Sequence, residues 1–170
     1  VMRNNLVTGV HRSPDSYVPT CKSDSSCRNN PFSGFFVWNK DFAELSGNVV
    51  AGSEDGGFTV YPVDSCGTNP QQAKIRNNAA YATLIGMFLL DTNSRGCFAL
   101  NRFRAWKNAH MGIFTVDQSA NLVLKNVVVA DNHIGIQLNY VHPSPGWDGF
   151  TRILNSHVLG STAASTSCDQ

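Results

Sequence analysis

The feature that most constrains this 170-residue chain is a repeat. Five segments open on a glycine and run on as an apolar strand, at residues 34–38 (GFFVW), 57–61 (GFTVY), 86–90 (GMFLL), 112–116 (GIFTV) and 135–139 (GIQLN). Their glycines recur at intervals of 23, 29, 26 and 23 residues. Ahead of four of them lies a second strand rich in Asn and in small or β-branched residues, at 45–51 (LSGNVVA), 75–80 (IRNNAA), 100–106 (LNRFRAW) and 124–130 (LKNVVVA). The same half-unit returns at 2–8 (MRNNLVT) and 153–159 (ILNSHVL). Asn48, Asn77 and Asn126 each stand nine residues before Gly57, Gly86 and Gly135, and Asn155 marks the last half-unit. The unit containing Gly112 carries one extra residue around Ala109 and His110.

Short strands in units of this length, joined by turns rich in Asn, Gly, Asp and Ser, match a solenoid in which each unit is one coil. A single coil cannot bury its own apolar face, so it stacks on the next at about 4.8 Å and builds parallel sheets along the axis. A βα unit would need a helix between strands, and no stretch sustains a 3.6-residue period. An antiparallel sandwich would not explain a recurring Asn and Gly register. The fold expected is therefore all-β: a right-handed parallel β-helix of about five to six coils, read as a fragment of a longer chain. Coils fill residues 1–160, with insertion loops at 11–33 and 139–150, and 161–170 form a loop or frayed end. Stacked asparagines would bond amide to carbonyl from coil to coil while tolerating a left-handed bend. The glycines would supply positive φ or close backbone approach at the other bend. Val50, Val128, Phe58, Phe88, Phe114 and Ile136 are candidates for the interior. Partial coils at both ends would leave strand edges open, so residues 1–170 alone are expected to aggregate or fold poorly.

Charge narrows the partners. Thirteen basic and twelve acidic residues give a net charge of +1, with no basic face to neutralise phosphates, so nucleic acid is not an expected partner. The apolar run at 79–90 is broken by Thr83 and Gly86 and is shorter than the roughly 20 residues of a membrane-spanning helix. The five cysteines suggest an oxidising compartment. Cys21 and Cys27 flank a short polar stretch that reads as a disulfide loop rather than as zinc ligands, Cys66 and Cys97 would be joined if their loops stack, and Cys168 is left over.

Residues 47–58 (GNVVAGSEDGGF), 103–114 (FRAWKNAHMGIF) and 124–136 (LKNVVVADNHIGI) resemble the parallel β-helix repeats of the fibrocystin group and its G8-domain relatives. The resemblance spans about residues 1–160. It implies an extracellular or cell-surface setting, in some members ciliary, and includes proteins linked to hyaluronan turnover. It transfers no catalytic residue, because these repeats are shared by proteins with different jobs.

Chemistry is sparse. Glycoside hydrolases need two carboxylates flanking the scissile bond. The adjacent acids Glu54 and Asp55 have Thr83 and Leu84 as their counterparts one coil later, so no cluster builds up. His110 and His133 fall at nearly the same turn of adjacent coils, with Asp131 and Asn132 beside them, and are the candidates for metal binding or proton transfer. Turn histidines exposed to solvent explain the same facts. Arg102, Arg104 and Lys107, with Lys125 and Arg76 on neighbouring coils, could form a basic stripe for an acidic glycan or protein, or be the outward residues of a half-exposed strand. Trp147, in the second insertion loop, is the candidate for exposed glycan contact, whereas Trp106 reads as packed. No cofactor or metal is expected. The sequence favours a structural or interaction segment, presenting loops to protein or glycan partners and adjoining other segments of the same chain, over part of a hyaluronan-type polysaccharide-active enzyme or a pure glycan-binding module.

Overall fold

The computed structural model describes residues 1–11, 33–37, 43–61, 73–90, 97–118, 121–140 and 150–160. Their strands form three parallel sheets. The first, sheet A, stacks β1 (Met2–Arg3), β4 (Leu45–Ser46), β7 (Ile75–Arg76), β10 (Cys97–Asn101), β13 (Asn121–Lys125) and β16 (Thr151–Leu154). Sheet B stacks β2 (Leu6–Val10), β5 (Val49–Ser53), β8 (Ala79–Tyr81), β11 (Arg104–Trp106), β14 (Val128–Ala130) and β17 (His157–Leu159). Sheet C stacks β3 (Ser33–Val37), β6 (Gly56–Val60), β9 (Ile85–Leu90), β12 (Met111–Gln118) and β15 (Ile134–Tyr140). Each coil gives one strand to each sheet it reaches, and every strand pairs with its counterpart in each adjacent described coil. The molecule is a parallel β-helix, and among the described residues no helix is long and apolar enough to cross a membrane.

Two columns of left-handed residues turn the chain. At the bend from sheet A to sheet B they are Asn4 (φ 55°), Gly47 (66°), Asn77 (56°), Arg102 (54°), Asn126 (54°) and Asn155 (49°). At the bend from sheet B to sheet C they are Gly9 (φ 62°), Gly52 (66°), Ala82 (52°), Lys107 (53°) and Asp131 (54°). These are all the positive-φ residues among those described. Each Asn-bearing segment expected to be one strand is therefore two, broken at this residue. A single left-handed residue redirects the chain, and Asn or Gly adopts that conformation at least cost.

The asparagines divide the two tasks that the sequence assigned to one position. Asn77, Asn126 and Asn155 make the bend, whereas Asn48 occupies the next, inward-facing place, beside Asn5 and Asn78. There Asn78 Oδ1 accepts from the backbone N (2.9 Å) and Nδ2 (3.1 Å) of Asn48. Asn48 Oδ1 in turn accepts from Asn5 N at 3.0 Å and Asn5 Nδ2 at 2.9 Å. In later coils Phe103 and Val127 fill this column, both fully buried. The polar ladder moves to the other bend, where Asn132 Oδ1 accepts from Asn108 N (3.1 Å) and Nδ2 (2.8 Å), and Asn108 Oδ1 from Thr83 N (3.1 Å) and Oγ1 (2.7 Å). Asn48 thus fell out of line with Asn77 by one residue. Coils with Gly57 and Gly112 have one more residue in the second bend than those with Gly86 and Gly135.

The recurring glycines lie within sheet C and have no positive φ. A Cβ on Gly57, Gly86 or Gly112 would stand 2.6 Å from the carbonyl oxygen of the next glycine in the stack. It is close backbone approach that excludes a side chain here. The following residues, Phe58, Met87 and Ile113, point inward and are fully buried, and Phe35 stacks on Phe58 with centroids 5.1 Å apart. Leu45, Ile75, Leu100 and Leu124 supply the sheet A wall, and Val50, Ala80, Ala105 and Val129 the sheet B wall. Phe88, Phe114 and Val128 face outward, contrary to expectation, because side chains alternate and a one-residue slip in counting reverses the face. Apolar residues are exposed in the first and last described coils, notably Val1, Leu6, Val158 and Leu159.

Glu44 anchors the outer side of sheet A. Its carboxylate receives Arg3 Nε at 2.7 Å and Arg3 Nη2, and Arg76 Nη2 at 2.5 Å, bridging three coils. The hydrogen bond from Arg3 and a further one from Ser46 hold its carboxyl below the usual 4.5, against partial desolvation and with help from the charges of Arg76 and Arg3. A carboxyl with a depressed folded pKa stabilises fully above its unfolded value and loses that contribution as pH falls through the folded one. Glu44→Gln is therefore expected to lower the denaturation midpoint at neutral pH, and the gap from the parent protein should close below pH 4.5. Urea titrations across that range check it, and a gap unchanged by acid would refute the assignment.

Candidate functional site

Sheet B presents a more open outer face than the middle of sheet C. Strand β6 of sheet C is buried at all five positions, whereas β8, β11 and β14 alternate a buried central residue with accessible flanking ones. The outward rows of sheet B follow from register: Val49, Ala79, Arg104 and Val128 form one, and Ala51, Tyr81, Trp106 and Ala130 the other. Most of these side chains are small, so Arg104 and the aromatic pair stand above the floor. Tyr81 and Trp106 stack with centroids 4.6 Å apart and planes 19° from parallel. Trp106 does pack, but on the outside, where part of the pair remains accessible.

At the bend from sheet A, Asn77, Arg102 and Asn126 border a groove of about 720 Å³ together with Val49, Ala79, Arg104 and Val128. Arg102 and Arg104 are both exposed. Among the described residues neither guanidinium has an ion pair or hydrogen-bond partner.

The expected basic stripe is otherwise divided. Arg76 is engaged by Glu44. Lys125 lies on sheet A, separated from Arg76 by Asn101 in the intervening coil. Lys107 sits at the opposite bend, in the left-handed column next to Asp131, and lines a second, shallower groove of about 430 Å³ with Glu54. The bend at Arg102 and Phe103 explains the division, because residues 100–106 do not share one strand face.

The two histidines do meet. The extra residue of the fourth unit falls at Ala109, which keeps His110 in line with His133, since Met111 pairs with Ile134. Their ring centroids are 5.8 Å apart at a 39° tilt. The same column continues to Leu84 and Asp55 in earlier coils. Asn132 is taken up by the ladder and donates to Ala105 O (3.2 Å) and Ala130 O (2.9 Å). Asp131 turns the backbone. Glu54 Oε1 lies 2.8 Å from His11 Nδ1, a different pairing from any the sequence suggested. Among the described residues no three His, Cys, Asp or Glu side chains converge to hold a metal ion.

Trp147, Cys21, Cys27, Cys66 and both insertion loops lie outside the described residues, except for positions 11 and 33 of the first loop and positions 139–140 and 150 of the second. Cys97 opens β10, and its proposed bridge to Cys66 likewise falls outside them. The Tyr81–Trp106 pair is a functional candidate that sequence reasoning missed. Aligning 75–80 with 100–106 from their first residues, and extending by one, would have placed Tyr81 against Trp106.

Comparison with known proteins agrees with this geometry. Residues 18–145 match the family model described as periplasmic copper-binding protein (NosD). Fibrocystin from Canis lupus familiaris is 31% identical over 131 residues, covering 74% of this chain and 3% of that protein. The chain thus spans a small fraction of this curated relative. No solved structure matches significantly. The copper in the family's description can be tested against the donors present: His110 and His133 bring two imidazoles together, and no third His, Cys, Asp or Glu joins them among the described residues. That donor set falls short of the three or more ligands of a typical protein copper site.

Proposed function

Because the chain belongs to the NosD family of parallel β-helix proteins, we propose that it is a rigid scaffold segment of a larger extracellular or cell-surface protein, holding binding faces for protein or glycan partners. The observation that carries this reading is the continuity of its columns. Three parallel sheets of six, six and five strands share one core, and asparagine ladders tie successive coils at their bends. Such a structure fixes the spacing of outward side chains along an axis. The extracellular setting is supported by the word periplasmic in the family's description and by the resemblance to fibrocystin. That the chain matches only a small part of that relative supports its being one segment among others.

An enzymatic reading would need reactive groups built up across coils. The column that holds Asp55 continues as Leu84, His110 and His133, so it opposes no second carboxylate to the first. The test is to incubate the intact protein with hyaluronan and other acidic polysaccharides, with and without calcium, and to follow polymer length by size-exclusion chromatography with light scattering. Unchanged length is expected. Shortening that disappears in a His110→Ala, His133→Ala double variant would overturn the scaffold reading and place a catalytic site on the second bend.

A further inference from the structure

We propose that the outer face of sheet B, together with its bordering groove, binds a carboxylate-bearing polysaccharide, with Arg102 and Arg104 taking the carboxylates and the Tyr81–Trp106 pair taking the sugar faces. Four observations meet there. The first is conformational. Every other residue at the bend from sheet A to sheet B is Asn or Gly, yet Arg102 holds φ 54° in the same column. A long side chain in the left-handed region is a strained choice, and strain of this kind clusters at ligand clamps. Its backbone serves the turn as the asparagines do, donating N–H to Lys125 O at 2.9 Å. The fold itself therefore supplies no reason for the guanidinium.

The second observation is electrostatic. Arg104 lines the same groove two residues further on, and neither arginine has a partner among the described residues. The described carboxylates lie elsewhere: Glu44 is held by Arg3 and Arg76 on sheet A, Glu54, Asp55 and Asp131 are at the bend to sheet C, and Asp117 is on β12 of sheet C. Two uncompensated guanidiniums attract anions and match the planar fork of a carboxylate. Asn77 and Asn126, on either side of Arg102, add amides; Asn126 Nδ2 already donates to Asn101 Oδ1 at 2.9 Å, which leaves its oxygen and second N–H for hydroxyl groups.

The third is the aromatic pair. Trp106 lies two residues beyond Arg104 on one strand and so shares its face, roughly 7 Å along it. Its indole, stacked on Tyr81 of the previous coil, offers a flat apolar platform with polar edges, the kind of surface against which the C–H face of a pyranose packs. An acidic peptide would satisfy the arginines without needing that platform. The fourth is the floor: Val49, Ala79, Val128, Ala51 and Ala130 leave space beside these residues for a chain lying across the coils.

The proposal goes beyond the scaffold reading and fails separately from it, since binding without cleavage and cleavage without this face are different results. The experiment uses isothermal titration of the intact protein with polygalacturonate, dextran, dextran sulfate and polyglutamate of matched length. Polygalacturonate is expected to bind in a salt-sensitive way, with dextran silent and polyglutamate at least 10-fold weaker. Arg102→Asn should weaken binding about 10-fold while raising the melting temperature by a few degrees, because Asn suits the left-handed site. Arg104→Thr should weaken it similarly on a strand that accepts Thr, and Trp106→Ala should weaken it with melting checked in parallel. Binding unchanged in the Arg102→Asn, Arg104→Thr double variant would overturn the proposal. So would equal affinity for polyglutamate, which would mark an acidic protein surface, or tighter binding of dextran sulfate that ignores Trp106.

Discussion

Gly86→Ala is expected to destabilise the protein by about 3–4 kcal/mol, as much as many core truncations, although it adds one methyl group. The added Cβ would stand 2.6 Å from Gly112 O, 3.1 Å from Ala105 Cβ and 3.1 Å from Asn108 Nδ2. None of these can yield cheaply. The carbonyl belongs to the neighbouring strand, Ala105 is part of the sheet B wall, and Asn108 is held in the buried ladder. Relief would require adjacent coils to separate, which breaks the parallel pairing of β9 with β12. Against a typical total stability of about 5–15 kcal/mol, much of the folded population would be lost at elevated temperature. The control is Gly9→Asn, where φ is +62° and the nearest atom to a new Cβ is His11 Nε2 at 3.8 Å. Its denaturation midpoint should move by less than about 0.5 kcal/mol equivalent. Equal losses at the two sites would show that conformational freedom, rather than close packing, explains the glycines.

The second large effect is expected at Asn78. Asn78→Leu preserves volume approximately but removes an acceptor used twice by Asn48, through its backbone N at 2.9 Å and Nδ2 at 3.1 Å, and a donor to Leu45 O at 2.9 Å. Asn48 is fully buried and Asn78 is 1% exposed, so water cannot readily substitute. Leaving such groups unsatisfied costs about 1–3 kcal/mol each, less where a remaining partner compensates. Asn48 Nδ2 keeps Met2 O at 3.1 Å, so a total of about 3 kcal/mol is expected. The comparison is Phe103→Leu at the same column one coil later, where the cost is a cavity of about 1–2 kcal/mol with no orphaned polar group. Chemical denaturation of both variants provides the check, and a neutral Asn78→Leu would mean the ladder is not a structural tie.

Much of the architecture was legible because a solenoid writes its geometry into sequence as a period. Each coil must present the same kinds of residue at the same bends, so glycines at 57, 86, 112 and 135 and asparagines ahead of them disclose parallel stacking before any contact is known. The face of each strand was harder to read. Inward and outward positions differ by one residue, and the second bend holds an extra residue in alternate coils. Counting back from the glycines therefore put Asn48 in line with Asn77, and counting aromatic against aromatic put Phe88 and Phe114 inside. Pairing shows instead that Phe58 lies opposite Met87 and Thr59 opposite Phe88.

The candidate site was legible only in fragments, for a related reason. Arg102 and Arg104 were visible as cations and Trp106 as an aromatic, but whether they share a surface depends on where the chain bends between them. The histidines illustrate the converse: their alignment hung on one inserted residue, and the placement of that residue at Ala109 brings the rings to 5.8 Å.

Repeated Gly, Asn and apolar positions dictate that this chain folds into stacked coils, because they have a low-energy solution only when each coil buries the next. Which asparagine bends and which one bonds, which phenylalanines are buried, and that Arg102, Arg104, Tyr81 and Trp106 border one another were settled by three-dimensional packing alone. Those outcomes depend on cross-coil register. A single inserted residue or left-handed bend reassigns every neighbour across about 4.8 Å without leaving a distinctive mark in composition or local propensity.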